Sequence, residues 1–327
     1  MTTGRAAVGL MLLLGLASGL LAWLGLHVGA ASWPQAMPAF VLHEVRLPRI
    51  LAAWLSGALL GLAGAIAQGL FRNPLADPYL LGSASGASLG LALALVWLGT
   101  GMVGGGLWMS LGSTGAALLG AVAAVWLTLL LARGAQHTLR LLLAGVVVGV
   151  VLGAMVSLAG YWQPRILSVM QGFMLGSTAF AAWPAVRMMA AVLAVALLLA
   201  WGYAKVLDAL AAGEETAQSL GLPLHSARVV LVWTLAAATA ASVAHTGLIA
   251  FVGLAAPHMV RAVVGVPYRW RLPLAATMGG VLLLAADLAA RLLLAPQQLP
   301  VGVLTAVLGG GYLLWLMSRR RGAWGSP

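Results

Sequence analysis

At 327 residues, 62% hydrophobic and only 7% charged, the chain cannot be a water-soluble globular domain, in which roughly a quarter of residues carry charge. Its lack of cysteine excludes a disulfide framework, thiol catalysis and cysteine-held iron–sulfur clusters. The net charge of +11 does not signal nucleic acid, because the basic residues stand singly at the ends of apolar runs rather than on one polar face.

A helix crosses the hydrocarbon core with about 20 apolar residues. Ten segments read as such helices, near 6 to 26, 47 to 70, 79 to 98, 111 to 132, 139 to 160, 185 to 207, 227 to 247, 249 to 264, 272 to 295 and 301 to 317. This predicts an all-α polytopic membrane protein with ten transmembrane helices, forming a single integral membrane domain over residues 1–327. The first run follows a lone Arg5, as a signal peptide would, but its apolar stretch is too long and an even span count requires it, so it reads as the first membrane helix. The eighth segment is short and contains Pro257.

Between the second and third spans lies RNPLADP, residues 72–78. Pro74 and Pro78 fix φ and lack donors, while Asn73 and Asp77 cap neighbouring backbone groups, so the chain reverses in a defined shape suited to a gate. Gln68, just before this corner, reads as a hydrogen bonder between helices. Glycines recur four apart at Gly57 and Gly61, at Gly82, Gly86 and Gly90, and at Gly145, Gly149 and Gly153, a spacing that lets helix backbones approach closely.

Three connections are long enough to hold structure: His27 to Val45, Tyr161 to Pro184, and Asp208 to Ala227. The last reads as a short helix, a break at Gly213 and a second helix from Glu214 to Leu220, stopped by Gly221 and Pro223. Glu214 and Glu215 then open the second helix, where the macrodipole favours negative charge. Trp33, Trp162 and Trp183 are placed to line an outer vestibule.

Arg49 followed by ILAAWLSGALLGLAGAIAQGLF parallels Arg228 followed by VVLVWTLAAATAASVAHTGLIAF, an inverted internal repeat of the kind found in transporters. His245 and His258 read as helix-bonded histidines ahead of metal or haem ligands. Asp287 and Arg291, four apart in the ninth span, share a helix face. They read as an intrahelical pair with Arg291 snorkelling to the interface, or as a proton relay in a secondary transporter.

With the N-terminus inside, Arg5, Arg72, Arg133, Arg140, Lys205, Arg228, Arg261, Arg269, Arg271 and Arg319 to Arg321 face the cytoplasm, and Arg46, Arg49, Arg165, Arg187 and Arg291 lie outside. That asymmetry obeys the positive-inside rule with both termini cytoplasmic. The acids are Glu44, Asp77, Asp208, Glu214, Glu215 and Asp287, and no HExxH, GxSxG or metal-spaced histidine cluster accompanies them, so neither enzyme chemistry nor a metal site is expected. A P-loop needs Gly-Lys-Ser/Thr, and the only lysine is Lys205 in YAKVL, so any ATP hydrolysis belongs to a separate chain.

Taken together, RLPR at 46–49, the run from Gly57 through RNPLADP to Ala87, RLLLAG at Arg140 to Gly145, GEExAxxLG, GxIxFVGLxxPHxxR at Gly247 to Arg261 and LPVGVLTAxLGG at Leu299 to Gly310 resemble, in the same order, the permease subunits of bacterial ABC importers for iron chelates, haem and cobalamin. The first span and the His27 to Val45 loop carry no recognisable signature. The resemblance implies a homodimer of ten-helix subunits in the bacterial inner membrane, two ATP-binding cassette subunits inside carrying ATP and magnesium, and a periplasmic substrate-binding protein outside. It implies no cofactor on this chain. By motif position it assigns an inner gate to Asn73 and Leu75 with a second part at His137 and Thr138, and ATPase coupling to Asp208, Gly213, Glu214, Glu215, Ala217, Leu220 and Gly221. It also assigns binding-protein docking to Arg46, Arg49 and Arg291, and a short outer helix to about 164–180. The implied activity is ATP-driven import by alternating access. A proton-coupled secondary transporter using Asp287 is the alternative.

Overall fold

The computed structural model describes residues 2–27, 39–99, 106–132 and 138–320, and among them no strand occurs. Helix α1 (Thr2–His27) is followed by a short α2 (Ala39–Val41) that runs through a π-helical turn, Leu42–Arg46, into α3 (Leu47–Leu70). A 3₁₀ turn, Pro78–Leu81, leads to α4 (Ser83–Leu98), then come α5 (Gly106–Leu131) and α6 (Thr138–Trp162). A second 3₁₀ turn, Pro164–Ile166, opens α7 (Leu167–Leu175), followed by α8 (Trp183–Gly202), α9 (Ala204–Ala212) and α10 (Glu214–Ser219). The chain closes with α11 (Leu224–Thr246), α12 (Val252–Val263), α13 (Tyr268–Leu292) and α14 (Val301–Arg320).

Each of the ten segments expected from hydropathy overlaps a helix, the sixth being divided between α8 and α9. Among the described residues, seven helical runs are long and apolar enough to cross a membrane: α1, the continuous α2–α3 unit, α5, α6, α8, α11 and α13. Helix α4 and the Val301–Tyr312 part of α14 are shorter apolar helices, and α12, with Pro257, spans 12 residues. Helix α3 is almost wholly buried and α11 and α13 mostly so, whereas α1, α5, α6 and α8 leave most of their apolar surface exposed. A three-helix centre is thus wrapped by helices whose outward faces suit lipid or another apolar chain.

Small residues bring the centre into backbone contact. Helices α3 and α13 run antiparallel, and a Cβ on Gly57 would lie 2.2 Å from the Gly279 carbonyl oxygen, one on Gly61 2.2 Å from that of Ala275. On the same helix a Cβ on Gly64 would lie 1.7 Å from the Gly253 carbonyl oxygen of α12. Helices α4 and α5 meet likewise, Gly86 against Gly120 and Ala124, Gly90 against Ala116. The third glycine stripe is only partly used: Gly145 abuts the Leu80 carbonyl, but Gly149 has only Ser85 Oγ at 3.7 Å and Gly153 nothing within 4 Å. Helix α6 stays packed along one face through Val148 and Val156, while Val146, Val147, Val150 and Val151 stand exposed on its other side.

Irregular backbone inside an apolar helix bundle must find partners within the protein. The Pro78–Leu81 turn and the 247–251 stretch between α11 and α12 do so together. Tyr79 Oη donates to the Ile249 carbonyl at 3.2 Å, Thr128 Oγ1 donates to the Leu81 carbonyl at 3.0 Å, and the Leu248 N–H bonds the Phe173 carbonyl at 3.0 Å. Between α3 and α11 the buried Ser56 hydroxyl meets Ser242 Oγ at 2.6 Å and Thr246 Oγ1 at 3.0 Å, and Gln68 Nε2 donates to the Leu254 carbonyl at 3.2 Å, the interhelical role expected for it. At about 1.5 Å per residue, the 24 residues of α3 extend roughly 36 Å and carry the bundle from one end to the other.

Candidate functional site

Two polar clusters stand at opposite ends of the antiparallel α3–α13 pair. At the end where α13 begins, Asp208 of α9 accepts the Tyr268 N–H at 2.9 Å. That N–H is one of the donors a helix leaves unpaired in its first turn, where a carboxylate is also favoured by the macrodipole. Leu207 packs against Gly69 near the end of α3, so α9 is fixed to both central helices. Gly213, at φ 130°, then breaks the chain as its sequence position suggests, and Glu214 opens α10. The Glu214 carboxylate accepts from Arg228 of α11 at 2.6 Å and from Arg72 of the corner at 3.5 Å. Ala217 is buried beneath α10, Gly221 makes the turn that follows at φ 66°, and Glu215 and Leu220 face outward. The two glutamates that look equivalent in sequence are therefore different: Glu214 braces the helix pair from within, and Glu215 stands on its surface.

The corner is stiff, as its prolines and Asx residues predict. Asn73 Oδ1 accepts the Leu75 N–H at 2.9 Å, the Asn73 carbonyl accepts the Ala76 N–H at 3.0 Å, and Asp77 Oδ1 caps the 3₁₀ turn through the Tyr79 N–H at 2.8 Å. Burial pushes the Asp77 carboxyl up, against the opposing pull of that N–H. Ala76 is buried while Leu75 is 51% exposed, so a braced turn presents an apolar tip. Arg72 sits at φ 50°, a left-handed conformation that costs a residue with a Cβ about 1–2 kcal/mol. Arg72→Gly relieves that strain and gives up only an exposed bridge worth at most about 1 kcal/mol. It is expected to leave the thermal midpoint of the solubilised protein level or raised, and a fall of several degrees would show that the Arg72–Glu214 contact carries weight. His137 lies outside the described residues, and Thr138 opens α6.

At the far end, Asp287 of α13 gathers three partners through four hydrogen bonds. Arg49 of α3 donates to its Oδ1 through Nη2 at 3.0 Å and Nε at 3.3 Å, Thr178 Oγ1 donates to the same oxygen, and Arg291 donates to Oδ2. Arg49 Nη1 also reaches Gln298 Oε1 at 2.7 Å. Arg291 does not snorkel outward as its position near the helix end suggests. Its residue is 4% exposed, turned inward by a carboxylate that is itself 1% exposed. Arg46 is buried too and donates to the Leu26 carbonyl at 2.6 Å. Beside the cluster opens a cavity of about 970 Å³, with Arg49, Thr178, His245, Asp287 and Gln298 among its lining residues.

His245 uses Nδ1 to bond the Ala241 carbonyl at 2.9 Å, which places the proton on that nitrogen. His258 accepts from Arg261 at 3.4 Å and stacks edge-on to Tyr312. Among the described residues no three His, Asp or Glu side chains are placed to hold a metal ion. Trp183 Nε1 donates to the His43 carbonyl at 3.0 Å, Trp162 is exposed, and Trp33 lies outside the described residues. The expected short outer helix begins as the Pro164–Ile166 turn and continues as α7 to Leu175, where Gly176 ends it.

Comparison with known proteins decides the family: a model of the FecCD transport family matches residues 6–319. The chain belongs to the FecCD transport family. Among FecCD relatives, the hemin transport system permease protein HmuU of Yersinia pestis is 38% identical over 292 residues, covering 85% of this chain and 83% of its own. The vitamin B12 import system permease protein BtuC of Klebsiella pneumoniae is 40% identical over 293 residues, covering 89% and 86%. A solved structure described as an inward-facing conformation of a metal-chelate type ABC transporter superposes with a TM-score of 0.83 at 27% identity, covering 97% of this chain and 99% of that one.

In this FecCD chain the residues picked from the sequence sort into three places: Asn73 and Leu75 at the corner, the 208–221 group braced beside it, and Arg46, Arg49 and Arg291 at the opposite end. Sequence reasoning missed Thr178 and Gln298, which nothing in their local pattern distinguishes from other polar loop residues. It also missed Arg228 as the partner of Glu214, although a buried arginine at the start of a span needs a carboxylate nearby.

Proposed function

We propose that this chain is the membrane permease subunit of a binding-protein-dependent ABC importer, carrying an iron chelate, haem or cobalamin into the cytoplasm by ATP-driven alternating access. It works as a homodimer of ten-span subunits with an inverted internal repeat in the bacterial inner membrane, both termini cytoplasmic. Two ATP-binding cassette subunits dock on α9–α10, and a periplasmic binding protein docks at the Arg46, Arg49 and Arg291 end. The observation that carries this reading is the braced α9–α10 pair: Asp208 on the start of α13 and Glu214 on Arg228 tie a short surface helix directly to the central helices. A push on such a helix moves the α3–α13 centre and the Leu75 corner with it, which is what a separate motor subunit requires. The FecCD relatives support the substrate range by the hemin and vitamin B12 systems they belong to. The proton-coupled alternative loses ground because Asp287 spends both carboxylate oxygens on two arginines and a threonine instead of offering one to a relay.

The chain's lack of cysteine makes the test direct. Single cysteines at exposed Glu215 and Leu220 are expected to crosslink to the ATPase subunits in the assembled complex, and one at exposed Trp97 to give no such product. Crosslinking at none of these positions, in a complex that hydrolyses ATP, would remove the coupling assignment.

A further inference from the structure

We propose that Asp287 is an internal competitor for an incoming carboxylate, and that its displacement from Arg49 unlatches the 176–182 connection that follows α7. The inference rests on the reading of Arg49 and Arg291 as docking arginines for the binding protein. Asp287 joins four separate parts of the chain at one carboxylate: α3 through Arg49, its own helix through Arg291, the α7–α8 connection through Thr178 and, by way of Arg49, the segment before α14 through Gln298. Two guanidiniums facing one carboxylate leave the cluster one positive charge in excess, and Arg291 Nε is buried with no acceptor among the described residues. The cluster therefore holds donor capacity that Asp287 does not fill.

Arg49 and Gln298 reach the wall of the 970 Å³ cavity and form the exposed edge of the cluster, so a carboxylate on a docked protein meets Arg49 first. Once Arg49 turns to that carboxylate, nothing draws Oδ1 toward α3, and Asp287 closes on Arg291 with both oxygens, filling its buried Nε and leaving Thr178. Thr178 is the side-chain anchor of its loop to α13. Other ties of the segment are backbone bonds, Gly176 N–H to the Phe173 carbonyl at 3.3 Å, Gly302 N–H to the Gly176 carbonyl at 3.5 Å, Ser177 N–H to the Thr246 carbonyl at 2.8 Å and Ala181 N–H to the Thr178 carbonyl at 3.2 Å, together with the Ala179 N–H to Ser177 Oγ bond at 3.1 Å. Phe180, 94% exposed at the tip of that loop, is where the movement shows. Docking at the arginines is thereby converted into release of the segment that borders the cavity, with ion-pair exchange as the transmitting step.

The test uses the assembled importer in lipid nanodiscs, with Phe180→Cys as its single cysteine carrying a spin label and Tyr161→Cys, 87% exposed at the end of α6, as the reference site. The label at 180 is expected to be restrained in the resting complex and mobilised by the binding protein encoded with this permease, while the label at 161 does not respond. In Asp287→Asn the label at 180 is mobile before the binding protein is added, and docking at low salt tightens by roughly five- to tenfold, the lower range of coupling between linked sites. Thr178→Val, which removes the anchor and leaves every charge in place, mobilises the label by itself and serves if Asp287→Asn does not assemble. A label that stays restrained in Thr178→Val, or a binding protein that docks through Arg49 without moving it, overturns the latch and leaves the docking reading intact. Docking unaffected by Arg49→Gln and Arg291→Gln overturns the docking reading itself, and the latch falls with it.

Discussion

Glu214→Gln is expected to cut ATP-driven uptake by roughly tenfold, the effect of losing about 1.4 kcal/mol from the coupled geometry, while the partner subunits continue to hydrolyse ATP. The carboxylate of Glu214 ties α10 to Arg228 at 2.6 Å, and Arg228 is 7% exposed. Glutamine keeps the length of the side chain but removes the charge, leaving a buried guanidinium short of its counterion. Because Glu214 is about one third exposed, the loss of global stability is modest, about 0.5–2 kcal/mol, and the fold survives. What is lost is the register of a six-residue helix whose placement depends on few contacts. Glu215→Gln leaves that tie untouched and removes at most one surface charge contact with the docked ATPase subunit, worth about 0.2–1 kcal/mol, so uptake is expected to fall by less than about fivefold and by less than in Glu214→Gln. Uptake and phosphate release measured on the same proteoliposomes separate the two. Equal loss in both variants would mean that the glutamates act together on the partner surface and that the internal brace is unimportant.

Gly64→Ala is expected to be the most damaging single-methyl change in the bundle. Its Cβ would lie 1.7 Å from the Gly253 carbonyl oxygen and 2.6 Å from the carbonyl carbon, with backbone and no flexible side chain in the way. Overpacking a tight core costs typically about 1–3 kcal/mol, and separating α3 from α12 also disturbs the Gln68 bond to Leu254 and the Pro78 contact on Gly253. The expected result is a thermal midpoint lower by a few degrees, since about 2–4 °C per kcal/mol holds for roughly 150–250 residues and the shift shrinks with length, with a reduced yield of monodisperse protein. Gly153→Ala, where nothing lies within 4 Å, should hold or raise the midpoint, since alanine is a better helix former by about 1 kcal/mol. Equal tolerance at both positions would contradict the close approach of α3 and α12.

These two predictions also mark what the sequence made legible. Local chemistry was readable: the Gly213 break and the Gly221–Pro223 stop frame α10, and the prolines with Asn73 and Asp77 shape the corner, because φ preferences and Asx bonds act within a few residues. Helix positions were readable from hydropathy, except where α8 ends at Gly202 and α9 begins at Ala204, a bend inside an uninterrupted apolar run. The use of each glycine was not, since four-residue spacing is shared by Gly145, at backbone contact, and Gly153, in open space. Nor was the Asp287 cluster, whose Arg49 lies 238 residues away and whose Thr178 lies 109 away. The intrahelical spacing suggested Arg291 alone and an outward-turned side chain. Only the fold shows that three donors converge on one buried carboxylate.

The most direct test of the account is uptake by the purified permease reconstituted with its ATPase subunits and binding protein, assayed with haem, a ferric siderophore and cobalamin. Accumulation of one of them that requires ATP, continues when a protonophore collapses the proton gradient, and disappears when the ATPase subunits are omitted is the predicted result. Accumulation by the permease alone, driven by a proton gradient and abolished in Asp287→Asn, would contradict it.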